Sequence, residues 1–159
     1  MAESVRFERY DRVIDTDPAR LDLDLLHGYF SVSDQCFGLP LETLRRMIAG
    51  SINFGLYEKD SRQIGYGRVV SDRAAFAYIG DVFLVEEARG QGLGTWLIDC
   101  MKAHPELQGL RRWMLMCGPR TVDLYRRAGF LDNSGAGYLM HMTDKDIYRR
   151  ALSEPPSKS

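Results

Sequence analysis

The stretch of this chain best suited to chemistry is Arg89, Gly90, Gln91, Gly92, Leu93, Gly94 and Thr95. Three glycines at alternate positions behind an arginine let backbone N–H groups approach a ligand closely, because no Cβ stands between them and it. Leu93, Trp96, Leu97, Cys100 and Met101 then follow helical apolar spacing, so a helix begins inside the segment. Its first turn adds unpaired N–H donors and the positive end of a dipole. A strand running into a glycine loop and then a helix is an arrangement that binds phosphate.

The other reactive side chains point elsewhere. Cys36, Cys100 and Cys117 are odd in number and widely spaced, with no CxxC pair, so reduced thiols are expected rather than a zinc site or disulfide framework. His27, His104 and His141 lie far apart and lack ligand spacing, so packing or surface roles are expected and no metal is. A formal net charge of -1 supplies no basic field for nucleic acid or an anionic membrane surface. Any anion must be held locally.

The class of phosphate loop can be narrowed. A P-loop needs a Gly-Lys pair, and the sequence has none. The dinucleotide fingerprint GxGxxG needs glycine at position 95, where Thr95 stands, and an early βαβ strand before it. A plain strand-to-helix turn with a solvated Arg89 explains neither the arginine nor the third glycine.

The elements that must position this loop are legible in outline. A strand is predicted over 5–10, then a helix within 17–33 and a second helix from Pro40 to Gly50 with Leu41, Leu44, Met47 and Ile48 on one face. Strands follow at 52–58, 63–71 and 75–85, then the helix from Leu93, stopped by Pro105. A strand over 111–117, a helix from Pro119 to Ala128 ended by Gly129, and a closing strand over 137–142 complete the order. One domain is expected over residues 1–150, followed by a polar, frayed tail at 151–159. The charged start and the lack of any apolar run near about 18 residues predict a cytoplasmic protein with no membrane partner.

The pattern Arg89-x-x-Gly92-x-Gly94, set in "GDVFLVEEARGQGLGTWLIDCM", together with "LYRRAGF" at 124–130, resembles the GNAT superfamily of N-acetyltransferases. The likeness runs over roughly residues 50–142, element by element. It implies an α/β fold with a mixed, splayed central sheet and helices on both faces. The implied activity is acetyl transfer from acetyl-CoA to a primary amine of a small molecule or peptide, by direct attack in a ternary complex. Nucleic acid is not an implied partner, and a homodimer stays open. A CoA-binding sensor or scaffold of the same fold is the alternative.

The resemblance also assigns residues. The splayed pair becomes 76–85 and 111–117, with the cofactor's pyrophosphate on the backbone N–H groups of Arg89 through Thr95. Backbone N–H groups near Leu84 or Val85, where the family strand carries a bulge, polarise the thioester carbonyl, and Tyr125 is the acid that meets the departing sulfur. Asp81 is either the base or a structural partner of Arg68, with Tyr78 and Glu86 behind it as candidates. Gly118 stands where many members carry an asparagine, seven residues before the tyrosine. Residues 27–45 and 131–138, including Tyr29, Phe30, Asp34 and Phe37, would shape the acceptor site.

Overall fold

The computed structural model describes residues 3–59, 61–133 and 137–153. They divide into two compact units, Met1–Leu21 with Ile48–Leu131, and Asp22–Met47 with Asp132–Ser159.

The first unit is built on a mixed, open six-stranded sheet. Its strands are β1 (Arg6–Arg9), β2 (Arg12–Asp15), β3 (Ile52–Glu58), β4 (Gln63–Ser71), β5 (Phe76–Leu84) and β6 (Arg112–Leu115), lying side by side in chain order. Every neighbouring pair from β1 to β5 is antiparallel, and only β6 runs parallel to its neighbour. That one parallel step needs a crossover, and α3 (Leu93–Ala103) supplies it. The opening segment forms a hairpin rather than the single strand expected. It reverses at Tyr10, whose φ of 54° has no glycine or asparagine to advertise it.

The core lies under α3. Leu93, Leu97, Ile98 and Met101 pack with Phe54, Ile64, Val69, Ala77 and Ile79 of the central strands. Gly67 on β4 makes that approach close: a Cβ there would stand 2.2 Å from Met101 Cε and 3.2 Å from Val82 Cγ2. Beyond α3, His104 is buried, accepts at Nδ1 from the Glu106 N–H at 3.2 Å and meets Phe54 edge-on. It is a packing and capping histidine, and burial lowers its pKa from 6.5.

The helix expected from Pro119 is shorter, α4 (Val122–Arg127), because the Thr121 N–H closes a turn on Gly118 O at 3.1 Å before helical bonding begins. It ends as expected at Gly129, with φ 95°, and Lys102 Nζ donates to the Ala128 carbonyl at 2.7 Å. The strand expected over 137–142 is not formed. Its alternation fits a half-buried sheet surface, yet Tyr138, Met140 and Met142 are exposed and no ladder includes them.

The second unit contains α1 (Leu23–Val32), the start of α2 (Leu41–Ala49) and α5 (Ile147–Ser153). Asp22 caps α1 by accepting from the Leu25 N–H at 2.9 Å. His27 Nε2 lies 2.8 Å from Leu39 O, a structural contact. α5 runs through the beginning of the expected tail, and residues 154–159 lie outside the described residues. Among the described residues no helix is long and apolar enough to cross a membrane.

Two outcomes follow for stability. Gly67→Val should cost about 1–3 kcal/mol by overpacking, read from urea unfolding, with Gly67→Ala milder because the Met101 terminus can swing aside. For His104, a folded pKa below the unfolded value means that the unfolded chain takes the proton first. Its contribution is therefore present above pH 6.5 and is lost as pH falls through that value toward the lower folded pKa. The melting temperature should fall across this window, and His104→Asn, which can still accept but does not titrate, should flatten the slope.

Candidate functional site

The site begins where β5 and β6 stop pairing. Their register runs from Phe76↔Arg112 to Ile79↔Leu115 and no further, although β5 continues from Gly80 to Leu84. Two residues past the last pair the ladder on the other side of β5 is also disturbed. Tyr66 faces Phe83 and Arg68 faces Gly80, so Gly67 alone stands opposite both Asp81 and Val82. This is a β-bulge, with Asp81 in the left-handed region at φ 57°. A bulge bends its strand, and here the bend coincides with the parting of the parallel pair.

Past the bulge the strand's alternation decides which groups face the gap. The Val85 N–H donates to Ile64 O of β4 at 2.9 Å. Leu84, one residue earlier, therefore directs its N–H and C=O to the opposite edge, where β6 has ended. The sequence offered both residues as carbonyl-polarising donors. Val85's amide is committed to β4, and Leu84's faces the gap. The bulge itself sits at Asp81 and Val82 rather than at Leu84 and Val85, because Gly67 gives β4 one residue fewer there.

The glycine loop follows directly. Glu86–Ala88 makes one 3₁₀ turn, Gly90 and Gly92 have φ of 73° and 75°, and Gly92 is the N-cap of α3 without a side-chain cap. Helical bonding starts with the Trp96 N–H on Gly92 O at 3.1 Å. The first-turn amides of Leu93, Gly94 and Thr95 precede it and have no acceptor within the helix. A Cβ at Gly90 or Gly92 would meet nothing within 4 Å. The ground above the loop is open, and the glycines are required for their φ. Gly94 differs: a Cβ there would touch Leu124 at 3.6 Å and Leu84 at 3.8 Å, so its smallness seats α3 against α4 and β5.

One of the expected main-chain donors is already engaged, and two side chains brace the loop. The Arg89 N–H bonds Glu86 O at 3.2 Å, and its Nε donates to Leu84 O at 3.2 Å. Arg89 thus ties the loop back onto β5. Gln91 Nε2 does the same by donating to Glu87 O at 3.0 Å.

Tyr125 lies on α4, which packs against α3, and is 8% exposed. It stacks edge-on with Phe130, and its electrostatic neighbours are Cys117, just after β6, and Tyr78 on β5. Burial above all, then those two neighbours, pushes its phenol up to about 12. The hydroxyl therefore keeps its proton at physiological pH. Cys117 is exposed and was not singled out by sequence; its neighbour Gly118 has open space around an added Cβ. Cys100, by contrast, is buried, which pushes its thiol up to about 12.

Asp81 pairs with Arg68, the structural partner the sequence had offered as its other role. Arg68 Nε donates to Asp81 Oδ2, and Arg68 Nη1 donates to Ser51 Oγ at 3.0 Å. The polar cluster continues through Asn53, whose Nδ2 donates to Ser51 O at 3.1 Å and whose Oδ1 accepts from the Tyr66 hydroxyl at 2.7 Å. Burial raises the Tyr66 pKa well above the usual phenol, so it acts there as a donor. Glu86 is exposed in the 3₁₀ turn. Of the acceptor-side residues named from the sequence, Tyr29 and Phe30 lie on α1, Asp34 and Phe37 in the segment after it, and 134–136 outside the described residues.

This combination of a parting parallel pair, a glycine loop and an uncapped helix start can be compared with known proteins. A model of the acetyltransferase (GNAT) family matches residues 23–130. The chain belongs to that family. A candidate acetyltransferase of Gibberella zeae is 33% identical over 147 residues, covering 78% of this chain and 81% of the relative. A crystal structure from Xanthomonas campestris pv. campestris, described as a candidate GNAT-family acetyltransferase, is 38% identical with a TM-score of 0.80, covering 86% of this chain and 96% of that one. Glucosamine-6-phosphate N-acetyltransferase from Arabidopsis thaliana shares the fold, with 16% identity, a TM-score of 0.56, and coverage of 89% and 96%.

For this GNAT acetyltransferase the loop makes a separable prediction. Because Gly92 is constrained by φ and not by space, Gly92→Ala should cost about 1–2 kcal/mol of stability. Gly92→Asn, which tolerates the left-handed region, should cost less. Equal losses in thermal unfolding would show that something other than backbone conformation fixes glycine there.

Proposed function

We propose that this GNAT acetyltransferase transfers an acetyl group from acetyl-CoA to a primary amine of a small molecule or peptide, by direct attack in a ternary complex. The observation that carries the reading is the gap between β5 and β6, which opens beside first-turn amides of α3 that no side chain caps. The loop fits a diphosphate by its chemistry. Open ground above Gly90 and Gly92, three main-chain donors and a helix dipole suit an anion in a chain with a formal net charge of -1. Leu93, Gly94 and Thr95 would hold the phosphates, and Thr95 adds a hydroxyl.

Acetyl-CoA supplies an activated acetyl thioester when bound. The Leu84 N–H faces the gap and is the main-chain donor available to polarise its carbonyl. Tyr125 stabilises the sulfur as negative charge develops. With its phenol near 12 it serves by hydrogen-bond donation, since complete proton transfer to a thiolate of pKa about 8.5 runs uphill. The proton that the attacking nitrogen loses leaves to solvent and balances the thiol. Asp81, the sequence's candidate base, is assigned no proton transfer here, because its carboxylate is paired with Arg68.

Acetyl-CoA at ~100 times its dissociation constant should add about 2.7 kcal/mol, a melting shift of roughly 5–11 °C, with no comparable shift for NAD. Thiol release should then be measured against a panel of polyamines, amino acids, aminoglycosides and peptides. A shift without turnover on any amine would point to a binding module instead. With an acceptor in hand, Tyr125→Phe should lower kcat about 10²-fold while acetyl-CoA binding barely changes. Undiminished turnover in the folded variant removes Tyr125 from the mechanism.

A further inference from the structure

We infer that Arg68 is a positioning residue whose ion pair with Asp81 keeps Asp81 left-handed and so maintains the bulge that parts β5 from β6. The inference concerns the same site and rests on the acetyl-transfer reading for its effect on turnover.

Arg68 and Gly80 are cross-strand partners, and a Cβ on Gly80 would lie 3.9 Å from Arg68 Nε. The guanidinium therefore covers the face to which Gly80 belongs. In an unbroken strand the next residue points to the other face, the side on which Met101 and Val82 stand over Gly67. The Asp81 carboxylate instead meets Arg68. It can do so because the backbone turns left-handed at Asp81, with φ 57°. That conformation is disfavoured for any residue bearing a Cβ, although aspartate tolerates it better than most.

Arg68 is itself held. Its Nη1 bonds Ser51 Oγ at 3.0 Å, Ser51 O accepts from Asn53 Nδ2, and Asn53 also donates to Ile48 O at 2.9 Å and accepts from Tyr66. With side chains 19% and 15% exposed, Arg68 and Asp81 lie largely out of water, where an ion pair is screened less than on the surface. A glycine at position 81 would take the same φ without strain and would need no partner to hold it, whereas aspartate does. Aspartate with a fixed arginine makes the bulge a defined conformation.

The bulge sets what faces the gap. Continuing the Arg68↔Gly80 register without the extra residue would slip the rest of β5 by one against β4, so that Leu84's amide turned to β4 and Val85's to the gap. Arg68 thus acts on the carbonyl donor through the backbone, without touching substrate.

The test compares Arg68→Ala with Arg68→Ala/Asp81→Gly. Removing the arginine should lower kcat at least 10-fold in folded protein, with a much smaller change in KM for acetyl-CoA. Adding Asp81→Gly should restore most of the lost kcat and raise the melting temperature above that of Arg68→Ala, because glycine needs no clamp to hold a left-handed φ. A double variant no more active than the single one overturns the inference, and that is also the outcome if the Asp81 carboxylate takes the amine's proton. Should wild-type protein acetylate no amine in the panel, the functional reading fails on its own. The melting order still decides the clamp: the double variant above the single supports it, and at or below the single overturns it. If Arg68→Ala does not fold, Arg68→Gln with and without Asp81→Gly carries the same comparison.

Discussion

A parallel strand pair that ends at Ile79 and Leu115 is the constraint on which the rest of this molecule depends. Everything on the β4 side of β5 continues as an antiparallel ladder as far as Leu84, so the strand is anchored along one edge and released along the other. That asymmetry produces a gap with a rigid wall. It also places the Leu84 backbone at the gap and delivers the chain to Gly90 and Gly92 at the start of α3. Without the ladder to β4, an unpaired strand end would fray. Without the release from β6, the same amides would be used up in sheet.

Packing on the sheet supports this. Gly67 is the residue opposite the bulge, and its missing side chain is filled by Met101 of α3. The helix whose start carries the unpaired amides is thus seated against the distorted part of the sheet. Gly94 repeats the device at the helix's first turn, against Leu124 and Leu84. Two glycines that accept close neighbours and two that accept positive φ fix the helix from both sides.

Much of this was legible in the sequence, for physical reasons that can be named. The three central strands and α3 have strong periodicity and clear stops, and their observed ranges lie within a residue or so of those expected. Gly90 and Gly92 stood out as residues that bare the backbone for close approach, and the structure adds that both take positive φ. Tyr125 was named because its surrounding segment resembles the family. The hairpin at Tyr10 escaped because a tyrosine took the turn conformation. The strand expected at 137–142 failed because alternation describes a surface without supplying a neighbour to pair with. The position of the bulge was hidden for a related reason. Gly80-Asp81 inside a β-branched strand signals a possible irregularity, but the register that reveals it depends on β4, more than ten residues earlier. Arg68 was nameable only as a partner, since its setting comes from Ser51, just ahead of β3, meeting Asn53 of β3 and Tyr66 of β4.

The loop before α3 presents donors that belong to the polypeptide itself. Peptide amides do not titrate, and every residue but proline carries one N–H donor. The anion recognition proposed for this loop would be written in torsion angles, so the left-handed φ at 90 and 92 constrains those two positions more tightly than any chemistry constrains the exposed side chain at 91. Such a cradle also has no protonation state of its own, and leaves the acidity of the surroundings to be felt elsewhere in the molecule.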